Sequence, residues 1–128
     1  MKSIIYSYSI NSFKQALEII EIFNSKRKTP IIFIKYFIIN GFGSEWISEL
    51  KDLLKKRKYK LFVDCKNNYG LFIDLVEKKT DFLKVEGNKE TLIRLNQIAK
   101  KNKVSVNPNF SIVDLSKIKN IRKKIKNI

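Results

Sequence analysis

The sequence is short of the residue types on which most enzyme chemistry depends. Its 128 residues include no histidine and a single cysteine, Cys65. Without histidine the chain cannot form a His-based catalytic triad, an imidazole proton shuttle or an ordinary zinc enzyme site. A single cysteine excludes an internal disulfide framework and a CxxC redox or zinc motif, and it is typical of a protein from a reducing cytoplasm.

Long hydrophobic runs are also lacking. The longest apolar stretch, residues 31–39, is interrupted by Lys35 and is far shorter than the roughly 20 residues that span a bilayer. No apolar segment typical of a signal peptide follows Met1. The length is that of one ordinary domain, and a hydrophobic fraction of 44% is typical of globular chains. We therefore expect one cytoplasmic domain over residues 1–128, with no transmembrane segment.

Negative charge is scarce, whereas lysine is abundant. The chain has 27 Lys and Arg against 12 Asp and Glu, for a formal net charge of +15. Only 4 of the 27 cations are arginine, while isoleucine, lysine and asparagine number 20, 23 and 12. This pattern indicates a bias toward AT-rich codons. Because arginine is the residue that engages phosphate in a bidentate manner, the composition weakens a prediction of nucleic-acid binding from charge alone.

What the sequence does contain is a regular alternation of short apolar runs with amphipathic segments. Strands are predicted at 3–9, 31–34, 61–63, 82–85 and 104–106, and helices at 13–24, 44–54, 70–76, 88–98 and 111–128. Asn11 or Ser12, Ser44 and Asn88 are predicted N-caps, and residues 40–43 a loop. Residues 111–128 are predicted as a basic amphipathic helix, because their Ile and Leu residues recur at steps of three and four.

Such alternation predicts an α/β fold of repeated βα units with a mainly parallel sheet of about five strands. The sheet can be half-barrel-like, or open and doubly wound, and periodicity does not separate these two architectures.

Three stretches resemble class II fructose-bisphosphate aldolases. Residues 29–34 followed by 41–46 are similar to the second βα unit of that family, residues 61–66 to its strand ending L-D-H-G, and residues 82–88 to its strand ending V-M-I-D-G-S. The resemblance covers roughly residues 29–90 and implies the N-terminal half of a TIM barrel, as in small stand-alone aldolase-like proteins of alphaproteobacteria. Cys65 stands where the family has a metal-binding histidine. The resemblance therefore implies a domain without the zinc centre, and we expect neither metal-dependent aldol cleavage nor a cofactor.

Two carboxylates, Asp64 and Glu86, follow two consecutive predicted strands. Because the carboxyl ends of parallel strands meet at one rim, both are candidate catalytic residues that can act as acid and base or hold a magnesium ion. The alternatives are structural: Asp64 caps the turn at 66–69, Glu86 helps Asn88 to cap the next helix, and Cys65 is a small buried hydrophobe. No substrate clamp accompanies the two acids, which favours a protein that is not an enzyme.

A small anionic ligand is the partner that this rim favours. Asn40, Gly41, Gly43 and Ser44 form a G-x-G turn before a helix whose free N–H groups can receive an anion, and Lys66 adds a cation beside Asp64. Because the third glycine and the Walker lysine of phosphate-binding loops are lacking, a plain turn is the alternative.

Basic residues cluster where predicted helices end. The predicted basic surface comprises Lys55, Lys56, Arg57 and Lys58 after the second helix and Arg122, Lys123 and Lys124 in the last one. Cations at helix C-termini complement the helix dipole, which accounts for many of these positions without a partner. The alternative function is a basic module that binds nucleic acid or an anionic surface. Unpaired sheet edges in such a fold also favour a homodimer.

Overall fold

Six short strands lie side by side in one all-parallel sheet. The structure, a computed structural model, describes residues 3–125. The strands are β1 (Tyr6–Ile10), β2 (Ile31–Ile34), β3 (Lys60–Asp64), β4 (Phe82–Lys84), β5 (Ser105–Val106) and β6 (Ser111–Asp114). Their order in the sheet is β5-β4-β3-β2-β1-β6, and every neighbouring pair is parallel. The predicted α/β fold with a parallel sheet is confirmed.

Helices cover one face of this sheet. They are α1 (Phe13–Ser25), α2 (Tyr36–Phe42), α3 (Glu45–Leu53), α4 (Tyr69–Glu77), α5 (Lys89–Lys101) and α6 (Ile121–Ile125). Their buried side chains join alternate strand residues, such as Ile32, Ile34, Leu61 and Val63, in a single hydrophobic cluster. Helices on one face are the half-barrel arrangement, whereas a doubly wound sheet has them on both faces. No helix in the described part of the chain is long and apolar enough to cross a membrane.

The other face of the sheet is concave. β5 and β6 lie at opposite edges of the sheet and yet are joined by residues 107–110 alone. Five strand spacings in a flat sheet would separate these edges by about 24 Å, whereas the five residue steps from Val106 to Ser111 reach at most about 18 Å. The sheet must therefore curl, and as a result β4 and β6 contribute residues to the walls of one pocket.

Aromatic rings fill much of the concave face. Phe33, Phe62 and Phe82 are partners in register on β2, β3 and β4. Phe110, from the segment that joins β5 to β6, packs edge-to-face on two of them, with its ring centroid 5.6 Å from that of Phe62 and 4.8 Å from that of Phe82. Edge-to-face pairs at these separations are favourable. The joining segment therefore closes part of the concave face.

The predicted loop at 40–43 is wrong for residues 40–42, which belong to α2. Ile38 and Ile39 of this helix are buried in the core on the helix side of the sheet. Burial of these two side chains stabilises a helical turn that the composition of residues 40–43 does not favour. The helix ends at Gly43, whose φ of +76° is accessible to glycine at little cost.

The helix predicted over 111–128 is wrong for residues 111–114, which form β6. Ile112 and Asp114 pair in register with Ser7 and Ser9 of β1. A parallel partner satisfies N–H and C=O groups that would otherwise remain unpaired along the edge of β1. This pairing makes the sheet six-stranded rather than five-stranded. A helix occupies only Ile121–Ile125 within the described residues, and residues 126–128 lie outside them.

Two of the three predicted N-caps are confirmed. The Ser12 hydroxyl accepts a hydrogen bond from the Gln15 backbone N–H at the start of α1, and the Asn88 side chain accepts one from the Thr91 N–H at the start of α5. The prediction for Ser44 is wrong, because Ser44 has helical dihedral angles and its side chain makes no capping bond.

Three helices end in the same left-handed turn without glycine. Arg27, Lys79 and Lys103 follow the C-caps of α1, α4 and α5 with φ of 59°, 58° and 60°. After α5, for example, the Val104 N–H donates to the Ala99 carbonyl at 3.0 Å, as in a Schellman motif. Glycine is the usual residue here, because a side chain in this conformation costs roughly 1–2 kcal/mol.

This geometry predicts the relative stability of two variants at one position. Lys103→Gly should be more stable to unfolding than Lys103→Ala by about 1 kcal/mol, because both lose the charge but only glycine relieves the left-handed backbone. The same pair at Lys100, inside α5, should show the opposite order by a similar amount. Urea unfolding followed by circular dichroism measures all four variants. Equal stability of the two Lys103 variants would contradict the assigned turn.

Candidate functional site

Charged side chains lie at the carboxyl ends of four strands, on the concave side. Lys35 follows β2, and Asp64, Lys84 and Asp114 are the last residues of β3, β4 and β6. Because side chains alternate along a strand, each charge shares a face with the apolar residue two positions earlier. These apolar residues are Phe33, Phe62, Phe82 and Ile112. The concave face therefore has an apolar layer with a charged rim above it.

Lys35 and Asp114 form an ion pair that spans β1. The Lys35 Nζ lies 3.1 Å from the Asp114 Oδ2 and donates to the Ser116 hydroxyl at 2.9 Å. The Ser116 hydroxyl and backbone N–H both donate to the Asp114 Oδ1. These two hydrogen bonds, with the Lys35 ammonium, lower the pKa of Asp114 to about 2. Asp114 is therefore a fixed anion rather than a proton donor or acceptor near neutral pH.

Asp64 is held by its own turn. Its side chain is buried, and the Oδ1 accepts a hydrogen bond from the Lys66 N–H at 2.9 Å, while the Lys66 Nζ lies 3.8 Å from the Oδ2. The structure thus brings together two predicted site residues, Asp64 and Lys66. Asp64 also lies in register with Lys84 on the next strand.

The Glu86 side chain is exposed, and Glu86 is joined to Lys66 through the backbone. Its backbone N–H donates to the Lys66 carbonyl at 2.8 Å, and its own carbonyl accepts from the Tyr69 hydroxyl at 2.9 Å. Within residues 3–125 no hydrogen bond or ion pair joins the Asp64 and Glu86 side chains. A joint acid–base role for the two carboxylates remains a prediction from the sequence.

The four residues of the predicted G-x-G turn lie on α2 and at the start of α3. Asn40 and Gly41 are exposed on α2, and the Asn40 side chain accepts from the Tyr36 hydroxyl at 3.3 Å. Gly43 ends that helix, and the Ser44 hydroxyl accepts from Lys78 Nζ, at the end of α4, at 3.2 Å. The Ser44 side chain thus contacts a neighbouring helix, and an anion site at this turn stays a prediction.

The predicted basic surface lies at the amino ends of the strands, at the end of the sheet opposite the charged rim. Residues 55–58 are exposed after α3, and 122–124 are exposed on α6. The Glu21 carboxylate of α1 lies 3.6 Å from Arg57 and 3.9 Å from Arg122. One acid therefore links the two basic groups that the sequence places far apart.

A pocket of about 280 Å³ opens on the concave side of the sheet. It is lined by Phe62, Lys84, Val85, Asn107, Pro108, Phe110 and Ile112. The Asn107 amide is already occupied, because its Oδ1 accepts from the Val85 N–H at 2.8 Å and its Nδ2 donates to the Val85 carbonyl at 3.1 Å. Lys84 is the charged residue of the lining, and across residues 3–125 its ammonium has no ion pair and no hydrogen bond from the side chain.

Lys35, Lys84 and Asp114 were not predicted as site residues. A signal for them exists in the sequence. At the ends of four strands, a triplet recurs in which the first residue is apolar and the third is charged. These triplets are residues 33–35, 62–64, 82–84 and 112–114. Recognising the last of them requires knowing that β6 is a strand.

Cys65 lies in the core on the helix side of the sheet. It is fully buried, and burial together with the Asp64 carboxylate raises the pKa of its thiol to about 12. At pH 8 an ordinary cysteine is roughly one quarter thiolate, whereas a pKa near 12 leaves about one part in 10⁴. The structure supports the interpretation of Cys65 as a buried hydrophobe.

This burial predicts how the native thiol reacts. At pH 8, modification of Cys65 by a disulfide reagent such as DTNB should be at least about a hundredfold slower in the native protein than in guanidinium chloride. Absorbance of the released thiolate gives both rates. A native rate that matches the unfolded rate at pH 8, under conditions where the fold is intact by circular dichroism, would contradict the assigned burial.

The residues present do not fit a zinc centre. The chain has no histidine, and Cys65, at the position of the family's metal-binding residue, is buried on the helix side. Throughout the part of the chain that the structure describes, no group of three His, Cys, Asp or Glu side chains is placed to hold a metal ion.

Comparison with known proteins identifies a similar fold. No protein-family model matches the chain, and no curated protein matches it significantly. Among solved structures, a protein from Coccidioides immitis, described as a candidate fructose-1,6-bisphosphate aldolase, matches with a TM-score of 0.64 and 15% identity. The match covers 80% of this chain and 40% of that protein. At this identity the likeness concerns the fold alone: this chain has an aldolase-like α/β fold that spans about two fifths of the length of the protein it matches.

Proposed function

We propose that this protein binds a small monocarboxylate with an apolar body in the pocket on the concave side, and that it binds this ligand without converting it. The observation that carries the proposal is the Lys84 ammonium, which lines the pocket and, among the described residues, forms no ion pair and donates no side-chain hydrogen bond. In parallel α/β folds, ligands bind at the carboxyl ends of the strands, where Lys84 lies.

The charge and size of the pocket favour a carboxylate over a sugar phosphate. One ammonium matches one negative charge, whereas phosphate groups are usually held by several donors or by an arginine fork. A volume of about 280 Å³ lies just below the range of pockets for drug-sized ligands, about 300–1,000 Å³. Phe110, which is partly exposed, and Ile112, which is exposed, offer apolar surface for the body of the ligand. These features support a ligand of the size of an arylacetic or medium-chain carboxylic acid.

The state of the neighbouring groups supports binding without catalysis. A general acid or base works best when its pKa lies near the operating pH. Asp114 is held as an anion with a pKa of about 2, and Cys65 is buried with a pKa of about 12. Asp64 is occupied by the Lys66 N–H. Neither Asp114 nor Cys65 is poised to move a proton to or from a ligand at neutral pH.

Calorimetric titration with phenylacetate tests the proposal. The wild-type protein should bind phenylacetate, and Lys84→Met should reduce the affinity by about ten- to a hundredfold, because it removes a charge-assisted contact and keeps the length of the side chain. Phenylacetamide, which has the same shape without the charge, should bind as weakly to the wild type as phenylacetate does to the variant. Medium-chain carboxylates serve as a second series of ligands.

Lys89→Met is the matched control. Lys89 is exposed at the start of α5 and does not line the pocket, so its loss removes the same charge and should leave the affinity within about twofold. Equal affinities of wild type and Lys84→Met for every carboxylate tested, or equal losses in the two variants, would overturn the proposal.

A further inference from the structure

A basic cleft lies at the amino ends of the strands, at the end of the sheet opposite the carboxylate pocket. It has a volume of about 480 Å³ and is lined by Asn24, Arg27, Lys28, Thr29, Lys56 and Lys58. Among residues 3–125, no carboxylate lines it. The helix ends nearby, α1 and α3, each contribute about half a negative charge, which the four cations outweigh. The cleft is therefore strongly positive.

The walls of this basic cleft are held in place by one side chain. The Asn24 Nδ2 donates to the Lys28 carbonyl at 3.1 Å and to the Lys58 carbonyl at 2.9 Å, while its Oδ1 accepts from the Lys58 N–H at 3.0 Å. These bonds join the turn after α1 to the turn after α3. As a result, cations from two separate turns are presented to the same space.

An apolar groove adjoins the basic cleft. It has a volume of about 380 Å³, includes Ile5, Tyr6, Tyr8, Phe23 and Pro30, and shares Lys28 and Thr29 with the cleft. Tyr6 is 46% exposed, so its side chain is accessible from the groove. In the same groove the rings of Tyr8 and Phe23 pack 5.1 Å apart. The groove thus offers an accessible aromatic ring on a packed base.

We propose that the cleft and the groove together bind a nucleotide, with its phosphates in the basic cleft and its base against Tyr6. Adjoining cationic and aromatic surfaces match the two parts of a nucleotide, because phosphates take charge-assisted hydrogen bonds and a flat base stacks on an aromatic ring. This site is separate from the carboxylate pocket, and each can fail without the other. The same chemistry belongs to a free nucleotide and to the end of a single strand.

Fluorescence and calorimetric titrations at low salt, with two probes, test the inference. ADP represents the free nucleotide, and a 5′-phosphorylated pentanucleotide of adenosine represents the strand. Binding of ADP with equal or greater affinity assigns the site to free nucleotides, whereas preference for the pentanucleotide assigns it to strand ends. Absence of binding of both probes would overturn the inference.

Two double variants separate a built site from general positive charge. Arg27→Gln with Lys56→Gln should weaken binding at least about tenfold. Lys79→Gln with Lys103→Gln is the matched control. It removes the same charge at the same end of the sheet, and both residues have the left-handed backbone of Arg27 and Lys56. Neither residue lines the cleft. The control should change the affinity less than about threefold. Equal losses in the two double variants would contradict a specific site.

Tyr6→Thr tests the base-binding part. It should weaken binding of ADP by about tenfold and leave binding of inorganic pyrophosphate unchanged. Lys58→Gln, at a residue with ordinary backbone angles, provides a further cleft variant if the double variant fails to fold. Unchanged ADP affinity in Tyr6→Thr, or equal affinity of the wild type for pyrophosphate and ADP, would show that the groove takes no part.

Discussion

Replacing Phe62 with alanine is expected to lower the free energy of unfolding by about 3–5 kcal/mol. Phe62 is 2% exposed in the middle of β3, and its ring centroid lies 5.0 Å from that of Phe33 and 5.6 Å from that of Phe110. Alanine would remove these aromatic contacts and leave a cavity that the sheet cannot close without moving three strands. Because an ordinary domain has a stability of about 5–15 kcal/mol, a large part of the total is at stake.

Urea unfolding at 25 °C, followed by circular dichroism, measures this loss. Phe42→Ala is the matched control, since Phe42 is 70% exposed on α2 and its removal should cost less than about 0.5 kcal/mol. Similar stabilities of the two variants would contradict the packed aromatic layer, and with it the curl of the sheet over its concave face.

Replacing Asn107 with alanine is expected to cost about 2–4 kcal/mol. The Asn107 side chain pairs with both the N–H and the carbonyl of Val85, and so continues the edge of β4 beyond its last residue. Val85 is buried, and without the Asn107 amide its N–H and carbonyl would lose their protein hydrogen-bond partner. Asn107 also has a φ of +51°, a conformation that asparagine adopts more readily than alanine.

Thermal unfolding of three variants separates these two contributions. Asn107→Gly loses the side-chain hydrogen bonds, but glycine adopts the positive φ of this position without strain. It should therefore be more stable than Asn107→Ala by about 1 kcal/mol. Asn109→Ala, an exposed neighbour, should change the stability by less than about 0.5 kcal/mol. If Asn107→Ala and Asn109→Ala unfold at the same temperature, the segment that closes the concave face is not held through Val85.

The sequence predicts β1–β5 and most of the helices between them because the information is local. An apolar run such as 31–34, or a stripe such as that of α1 with its Ser12 cap, fixes the element by its own periodicity. β6 could not be predicted in this way. Its residues pair with β1, more than a hundred positions earlier, while the spacing of Ile112, Leu115 and Ile118 matches a helix. Long-range pairing at a free strand edge overrides such a pattern.

The site residues likewise differ in whether local sequence information predicts them. Asp64 was predicted by the rule that strand ends carry function, and the structure places it on the concave rim. Lys84 lies at an equivalent place, but one lysine among 23 is not distinguished from a solvated surface residue by its neighbours. Its position in a pocket depends on the curl of the sheet and on Phe110, which approaches from the far edge. Neither the curl of the sheet nor the approach of Phe110 can be inferred from the residues next to Lys84.

An NMR titration of the ¹⁵N-labelled protein with phenylacetate tests carboxylate binding in the concave pocket, because it shows where the ligand binds as well as whether it does. Binding in the concave pocket should shift the backbone amides of Lys84, Val85, Asn107 and Phe110 in a saturable manner, and these shifts should disappear in Lys84→Met. Shifts confined to the basic cleft around Arg27 and Lys56, or no saturable shift at any carboxylate concentration, would contradict it.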